Sequence, residues 1–158
     1  MINTATRMLA TVHRPPEGTI TYGLVDEYLT PCGFTIYRTD YNIPDQVWES
    51  LLNKLTPDFK EEILYTFQRC QHVPEEREAT EKLLALVQFD GRSDPATLNG
   101  ASMDQLRVMF QDRTGGAPLN ANDTTMQYFL LADTEVLEAA SQELLGLDAN
   151  SHNKFIIY

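Results

Sequence analysis

Hydrophobic and polar residues alternate most clearly from Gly33 to Tyr41, and this pattern predicts a β-strand. Successive side chains of a strand point to opposite faces, so Phe34 and Ile36 would share the buried face. Arg38 falls on that same face, near the end of the strand. Because an unpaired buried charge is very costly, the pattern predicts an anionic group beside Arg38. The nearest candidate is Asp40; the alternatives are another acid of the chain, a ligand or a partner protein.

Apolar residues at helical spacing dominate the segment that follows. They predict a core-facing helix that begins near Pro44. Its apolar stripe consists of Val47, Trp48, Leu51, Leu52 and Leu55. Thr56 and Pro57 predict the end of this helix and the start of another. A third helix is predicted from the acidic residues at 75–78, and the apolar run from Leu83 to Phe89 fits either its last turns or a strand.

The N-terminal region is less clearly patterned. Two prolines at 15 and 16 separate residues 1–18, predicted to be an arm or a short helix, from a single α+β domain over residues 19–158. Ile20, Tyr22 and Leu24 alternate as in a strand, but residues 24–29 also fit a helical face. The structure of this segment therefore stays open at the level of sequence.

The C-terminal half carries stronger local signals. Turn-forming residues predict a loop over 90–100, and Ser102 with Gln105 forms a capping box that predicts a helix from Met103 to Gln111. A polar loop is predicted over 113–124.

The tail predicts a strand, a helix and a second strand in succession. The first strand covers 126–132, Asp133 or Thr134 caps a helix that ends near Leu145 and Gly146, and the final strand covers 154–158. The whole succession predicts a two-layer α+β fold, with helices packed on one mixed β-sheet.

Composition excludes several classes of function. The chain has 12 basic and 23 acidic residues and a net charge of -11, so nucleic acid and anionic membrane surfaces are not expected partners. No apolar run approaches the roughly 20 residues that span a bilayer. Cys32 and Cys70 are too few for a disulfide framework, and the N-terminus lacks a secretory apolar core, so a cytoplasmic location is expected.

Known catalytic and metal-binding motifs do not stand out. The three histidines are scattered, so no metal site is predicted, and without a phosphate loop or a nucleophile elbow no cofactor is predicted either. Carboxylates are too abundant to mark a catalytic pair. Glu75, Glu76 and Glu78 are predicted to lie on a solvated helix face.

A cluster of aromatic and cationic residues is the remaining candidate for a ligand site. Tyrosine and tryptophan can line an apolar pocket, and arginine can clamp a carboxylate with two hydrogen bonds. Such a site would bind a small organic anion or an acidic peptide. The alternative places the tryptophan in the core, the tyrosines at its rim and both arginines in internal ion pairs. The residues concerned are Tyr37, Arg38, Tyr41, Trp48 and Arg107.

The chain resembles a group of uncharacterised small proteins from filamentous fungi. The resemblance rests on Gly33–Thr39 followed by Trp48, on residues 100–102 followed by Arg107 and Phe110, and on the strand from Phe129 to Asp133. It covers residues 33–158 and implies an origin, but no activity.

These observations predict a binding or interaction module, for a small ligand or for a protein, with a homodimer among the expected assemblies. The main alternative is a small cofactor-independent enzyme of fungal specialised metabolism, such as an isomerase, cyclase or hydrolase, which would use a carboxylate or a tyrosine as its base. A structural or regulatory subunit of a larger complex is the third class.

Overall fold

The computed structural model describes residues 4–120 and 127–146. Its α-helices and β-strands confirm the α+β class. In chain order they are α1 (Ala5–Thr11), β1 (Cys32–Arg38), α2 (Asp45–Phe67), α3 (Pro74–Leu86), β2 (Val87–Arg92), α4 (Pro95–Leu98), α5 (Met103–Gln111), β3 (Phe129–Ala132) and α6 (Thr134–Leu144). Single turns of 3-10 helix lie at Asp26–Tyr28 and Gln68–Cys70.

The chain forms two compact units. The first unit comprises Met1–Gly33 and Thr56–Gln88, and the second comprises Phe34–Leu55 and Phe89–Tyr158. The predicted division into residues 1–18 and 19–158 stays a prediction.

The three strands form one sheet in the order β2-β1-β3. β1 and β3 pair in parallel, from Thr35 opposite Phe129 onward. On the other side, a Cβ on Gly33 would lie 1.6 Å from the carbonyl oxygen of Gln88. Two residues further along each strand, Thr35 contacts the side chain of Asp90. Because residue numbers increase in the same direction along the two neighbouring strands, β2 is also parallel to β1.

The prediction of a mixed sheet is therefore wrong for the described strands, which are all parallel. The physical reason lies in the connections, because helices carry the chain back to the same end of the sheet before each new strand begins. The predicted final strand at 154–158 lies outside the described residues.

Both faces of β1 are buried in the second unit. Ile36 belongs to an apolar cluster on one face, together with the described residues Trp48, Leu51, Leu55, Leu130, Ala132 and Leu137. Tyr37 belongs to a second cluster on the other face, together with Leu98, Leu106, Phe110 and Phe129. Helices thus cover both faces of the strand, as is usual for parallel sheets. The predicted two-layer arrangement is not confirmed.

Helix α2 continues through Pro57, where the sequence predicted a break. A proline in a helix interior lacks the donor for one backbone hydrogen bond and costs about 3 kcal/mol. The apolar positions nevertheless recur every fourth residue without a change of phase, from Leu55 through Phe59 and Ile63 to Phe67. Burial of this continuous stripe favours one long helix over two short ones.

Most other boundaries follow local signals. The capping box of Ser102 and Gln105 is formed, Asp133 caps α6, and Gly146 has a φ of 68° just after that helix ends. The predicted loop at 90–100 is wrong, because the end of β2 and the short α4 lie within it.

In the first unit, α1 packs against α3. The carboxylate of Glu76 on α3 accepts hydrogen bonds from the backbone N–H of Ala5, at 2.8 Å, and from the hydroxyl of Thr6, at 2.6 Å. Glu76 therefore caps the N-terminus of α1 and does not lie on a solvated face as predicted. Within residues 4–120 and 127–146, no helix has the length and apolar character needed to cross a bilayer.

Candidate functional site

The five residues predicted to bind a ligand do not converge on one place. Tyr37 and Trp48 are both buried, but they belong to the apolar clusters on opposite faces of the sheet. Arg107 lies on α5 with 56% of its side chain exposed, and it pairs with an aspartate one turn earlier. Arg38 and Tyr41 are in direct contact, with the guanidinium carbon 4.6 Å from the ring centroid, and Tyr41 also packs against the cluster that contains Tyr37. The structure thus places Arg38, Tyr41 and Tyr37 near one another, but not Trp48 or Arg107.

The guanidinium of Arg38 is buried, and all three of its nitrogens donate hydrogen bonds within the protein. Nε donates to the carbonyl oxygen of Asp40, at 2.9 Å. One terminal nitrogen donates to the carboxylate of Asp45, at 2.6 Å, and the other to the carbonyl oxygen of Ile43, at 2.7 Å. The predicted anionic partner is thus Asp45, another acid of the chain, while Asp40 contributes its backbone. This geometry favours a structural role for Arg38.

The carboxylate of Asp40 is held by a different set of donors. It accepts hydrogen bonds from the backbone N–H of Asn42 and from the hydroxyl of Thr134, each at 2.8 Å. These two donors, the backbone one first, lower the pKa of Asp40 below its ordinary value. Asp40 therefore stays ionised and links the end of β1 to the first turn of α6.

A polar network that the sequence did not predict lies between β1 and β2. The hydroxyl of Thr35 donates to the carboxylate of Asp90, at 3.1 Å, and accepts from the backbone N–H of Leu119, at 2.8 Å. Thr35 has no exposed surface. It therefore ties the loop after α5 to the centre of the sheet.

Arg92 extends the same network. Its Nε donates to the carboxylate of Asp90, at 2.8 Å, and a terminal nitrogen donates to the carbonyl oxygens of Thr114 and Gly116. The guanidinium of Arg92 thus attaches the loop after α5, which contains Thr114 and Gly116, to the end of β2. The alternation of β2 could have suggested Arg92, but nothing in the sequence indicated which loop it would bind.

Two buried hydroxyl groups stand out in the second unit. Those of Tyr37 and Tyr41 meet no partner at hydrogen-bond geometry within residues 4–120 and 127–146. Burial raises the pKa of Tyr37, and the nearby guanidinium of Arg92 offsets part of that effect. Buried hydroxyls without a partner are uncommon, so each marks a position where a ligand or water could bind.

The carboxyl ends of β1 and β2 form a place where parallel sheets often bind ligands. The chain leaves β1 for α2 on one face, whereas it leaves β2 for α4 and α5 on the other. In open parallel sheets, ligand sites lie where the connections from two adjacent strands leave toward opposite faces of the sheet. Here Arg38 and Arg92 both reach this edge, but both are engaged in internal hydrogen bonds.

A surface loop over residues 14–25 in the first unit is the most accessible candidate. Its base is closed by hydrogen bonds from the backbone N–H of Arg14 to the carbonyl of Tyr28, at 2.7 Å, and from the N–H of Val25 to Nε2 of His13, at 3.1 Å. The loop is therefore anchored at both ends.

The tip of this loop presents apolar side chains to solvent. Tyr22 is 98% exposed and Ile20 is 81% exposed. Gly18 and Gly23 flank them with φ values of 81° and 96°, in the region that side chains other than glycine rarely adopt. The alternation of Ile20 and Tyr22 was visible in the sequence, but their exposure was not.

Further candidates are weaker. An open depression of about 290 Å³ in the first unit is lined by Glu62, Tyr65, Thr66, Gln68 and Arg69. It contains none of the residues predicted to bind a ligand. In the described part of the chain, no group of three or more histidine, cysteine or acidic side chains is placed to hold a metal ion.

No family model, curated protein or solved structure matches this chain at a significant level.

Proposed function

We propose that the protein is a non-catalytic interaction module that binds another protein through its 14–25 loop. The observation that carries this proposal is the exposure of Tyr22 and Ile20 at the tip of a loop anchored at its base. Aromatic and aliphatic side chains in the centre of an interface often supply most of the binding energy. A preformed loop also loses less conformational entropy on binding than an unanchored one.

The residues expected to bind a small ligand give less support. Each nitrogen of Arg38 donates a hydrogen bond within the protein, and Trp48 lies in the core. An enzymatic role would favour a buried carboxyl group with a raised pKa as general base. Asp40, the buried carboxylate at the end of β1, has a lowered pKa instead.

The proposal is tested by replacing Ile20 and Tyr22 with serine in the full chain. The unaltered protein, purified from its own cells, should carry a partner at fixed stoichiometry in native mass spectrometry. The double variant should lose that partner without losing thermal stability, because neither side chain is buried.

The matched control replaces Leu64 and Tyr65 with serine, since these side chains are also exposed in the first unit. The control should retain the partner. If the unaltered protein carries no partner, or if the double variant retains it, the proposal is overturned.

Small-ligand binding in the second unit is the second candidate, favoured by the buried hydroxyls of Tyr37 and Tyr41, which meet no hydrogen-bond partner in the described part of the chain. A panel of small organic anions should then raise the melting temperature, and the Tyr37→Phe and Tyr41→Phe variants should lose that shift. If both variants show the same rise in melting temperature as the unaltered protein, these hydroxyls do not take part in ligand binding.

Two further expectations belong with this proposal. The resemblance supports an origin in filamentous fungi, and the two cysteines support a cytoplasmic location. Cys32 and Cys70 are both free of disulfide bonds, and burial raises the pKa of the Cys32 thiol. A thiol with a raised pKa is less reactive toward oxidants, which fits a structural role.

A further inference from the structure

The charges around the 14–25 loop are mainly negative. Arg14 is the only cation from residue 14 to residue 28, whereas Glu17, Asp26 and Glu27 are acidic. Arg14 lies at the base, where its guanidinium donates to the carbonyl oxygen of His13. Glu17 therefore lies within the loop, and Asp26 and Glu27 lie at its base, directly after Val25, so the loop and its base carry more negative than positive charge.

Two of these carboxylates have no cationic partner in the described part of the chain. Glu17 is exposed and makes no ion pair with the described residues. Glu27 is also exposed, and its carboxylate raises the pKa of Tyr28 by accepting a hydrogen bond from the phenol.

The third carboxylate is only partly neutralised. Nζ of Lys82 lies 2.9 Å from Oδ1 of Asp26 and 3.1 Å from Oε1 of Glu78, so one ammonium group pairs with two carboxylates. Together with Glu17 and Glu27, this group leaves a net negative charge on the loop and its base.

We infer that the partner of the loop is a protein surface with an apolar pocket for Ile20 and Tyr22, rimmed by lysine or arginine side chains. The inference rests on the proposed function and adds the chemistry of the partner. Opposite charges at the rim of an interface accelerate association and exclude wrong partners. The cluster around Arg38 was predicted to bind an acidic peptide. Such a peptide would be repelled by this loop, because the loop and its base are themselves negatively charged.

A second copy of the chain is a poor occupant by the same reasoning. Each copy carries a net charge of -11, so two copies repel each other as they approach. A basic partner instead gains from the charges that the loop leaves without partners.

The test places the photo-reactive amino acid p-benzoylphenylalanine at position 22 of the full chain, produced in its own cells. Mass spectrometry then identifies the segment that is cross-linked. We expect a segment rich in lysine and arginine, and a cross-linking yield that falls about fivefold in the Glu17→Gln/Glu27→Gln variant at low salt. The matched control, Glu61→Gln/Glu81→Gln, removes two exposed charges elsewhere in the first unit and should leave the yield unchanged.

Each other outcome is decisive. A neutral or acidic segment, or an unchanged yield in the Glu17→Gln/Glu27→Gln variant, overturns the inferred partner chemistry while the serine variants of Ile20 and Tyr22 still test the interaction itself. A cross-link to a second copy of the chain also overturns the inference that the partner is a basic protein surface. No cross-link above that of a probe at position 81 overturns the proposed function together with the inference.

Discussion

The guanidinium of Arg38 and the carboxylate of Asp45 lie 2.6 Å apart, yet the Arg38 side chain is 2% exposed and the Asp45 side chain is 82% exposed. The two members of this ion pair therefore contribute unequally to stability. Removing the arginine takes the donor from the carbonyl oxygens of Asp40 and Ile43, whereas an amide at position 45 would still accept a hydrogen bond but would leave the buried guanidinium without a counterion.

We expect Arg38→Met to lower the free energy of unfolding by about 3 kcal/mol, because the carbonyls of Asp40 and Ile43 lose their charged donor. Asp45→Asn should cost about 1 to 2 kcal/mol, because the amide oxygen keeps a hydrogen bond to Arg38 but no longer neutralises its buried charge. Urea unfolding monitored by fluorescence measures both values. Equal losses in the two variants would contradict this view of the pair.

The hydroxyl of Thr35 should be required for the attachment of the loop after α5. Thr35→Val keeps the shape of the side chain but removes the acceptor for the Leu119 amide and the donor to Asp90. We expect a loss of about 1 to 2 kcal/mol, with faster hydrogen exchange at the amide of Leu119.

The matched control is Thr97→Val, since the hydroxyl of Thr97 also donates to an aspartate, Asp94, but at an exposed position. It should change stability by less than about 0.5 kcal/mol. Unchanged exchange at Leu119 in the Thr35 variant would show that the loop is held by other contacts.

Asp40 should make stability depend on pH in the acidic range. Its pKa is lowered in the folded state by the Asn42 amide and the Thr134 hydroxyl, so its carboxylate stabilises the fold above its ordinary pKa, near pH 4. That contribution is lost as the pH falls through the lowered value. Asp40→Asn should therefore flatten the fall in stability between about pH 5 and about pH 2.

A second variant separates the effects, on the pKa of Asp40, of the two groups that donate hydrogen bonds to its carboxylate. Thr134→Val removes the hydroxyl that donates to the carboxylate. The pKa of Asp40, followed by NMR, should rise toward its ordinary value. An unchanged pKa would show that the Thr134 hydroxyl does not contribute, and that Asn42 and the nearby Arg38 lower the pKa without it.

Glu76 should determine whether α1 stays docked. Glu76→Ala removes the acceptor for the Ala5 amide and the Thr6 hydroxyl, so we expect a loss of about 1 to 2 kcal/mol and faster exchange of the Ala5 and Thr6 amides. Glu75→Ala, also in the first turn of α3, should leave those amides unchanged. Equal exchange in the two variants would contradict capping by Glu76.

Local signals in the sequence predicted local structure well. The helix over Met103–Gln111 was predicted from Ser102 and Gln105, and the structure has the same bounds. Such caps depend on residues three or four positions apart, so the chain does not need its tertiary fold to form them. Pro57 is one exception, because burial of the apolar stripe outweighs the local cost of the proline, and the predicted loop at 90–100 is another.

The candidate sites depended on contacts between residues 5 to 84 positions apart, which no local pattern specifies. The alternation of β1 required a partner for Arg38, but the turn after the strand decided that Asp45 and the carbonyl of Ile43 would supply it. The attachment of Leu119 to Thr35 joins residues that no local pattern relates.

By itself, the sequence determined the α+β class, the capped starts of α5 and α6 and the need of Arg38 for a counterion. Only the tertiary structure decided that the sheet is parallel, that Trp48 and Tyr37 lie on opposite faces, and that Ile20 and Tyr22 are left exposed. The physical reason is that hydrogen-bond caps and side-chain periodicity act within a few residues. Burial, in contrast, depends on which distant segments cover a side chain.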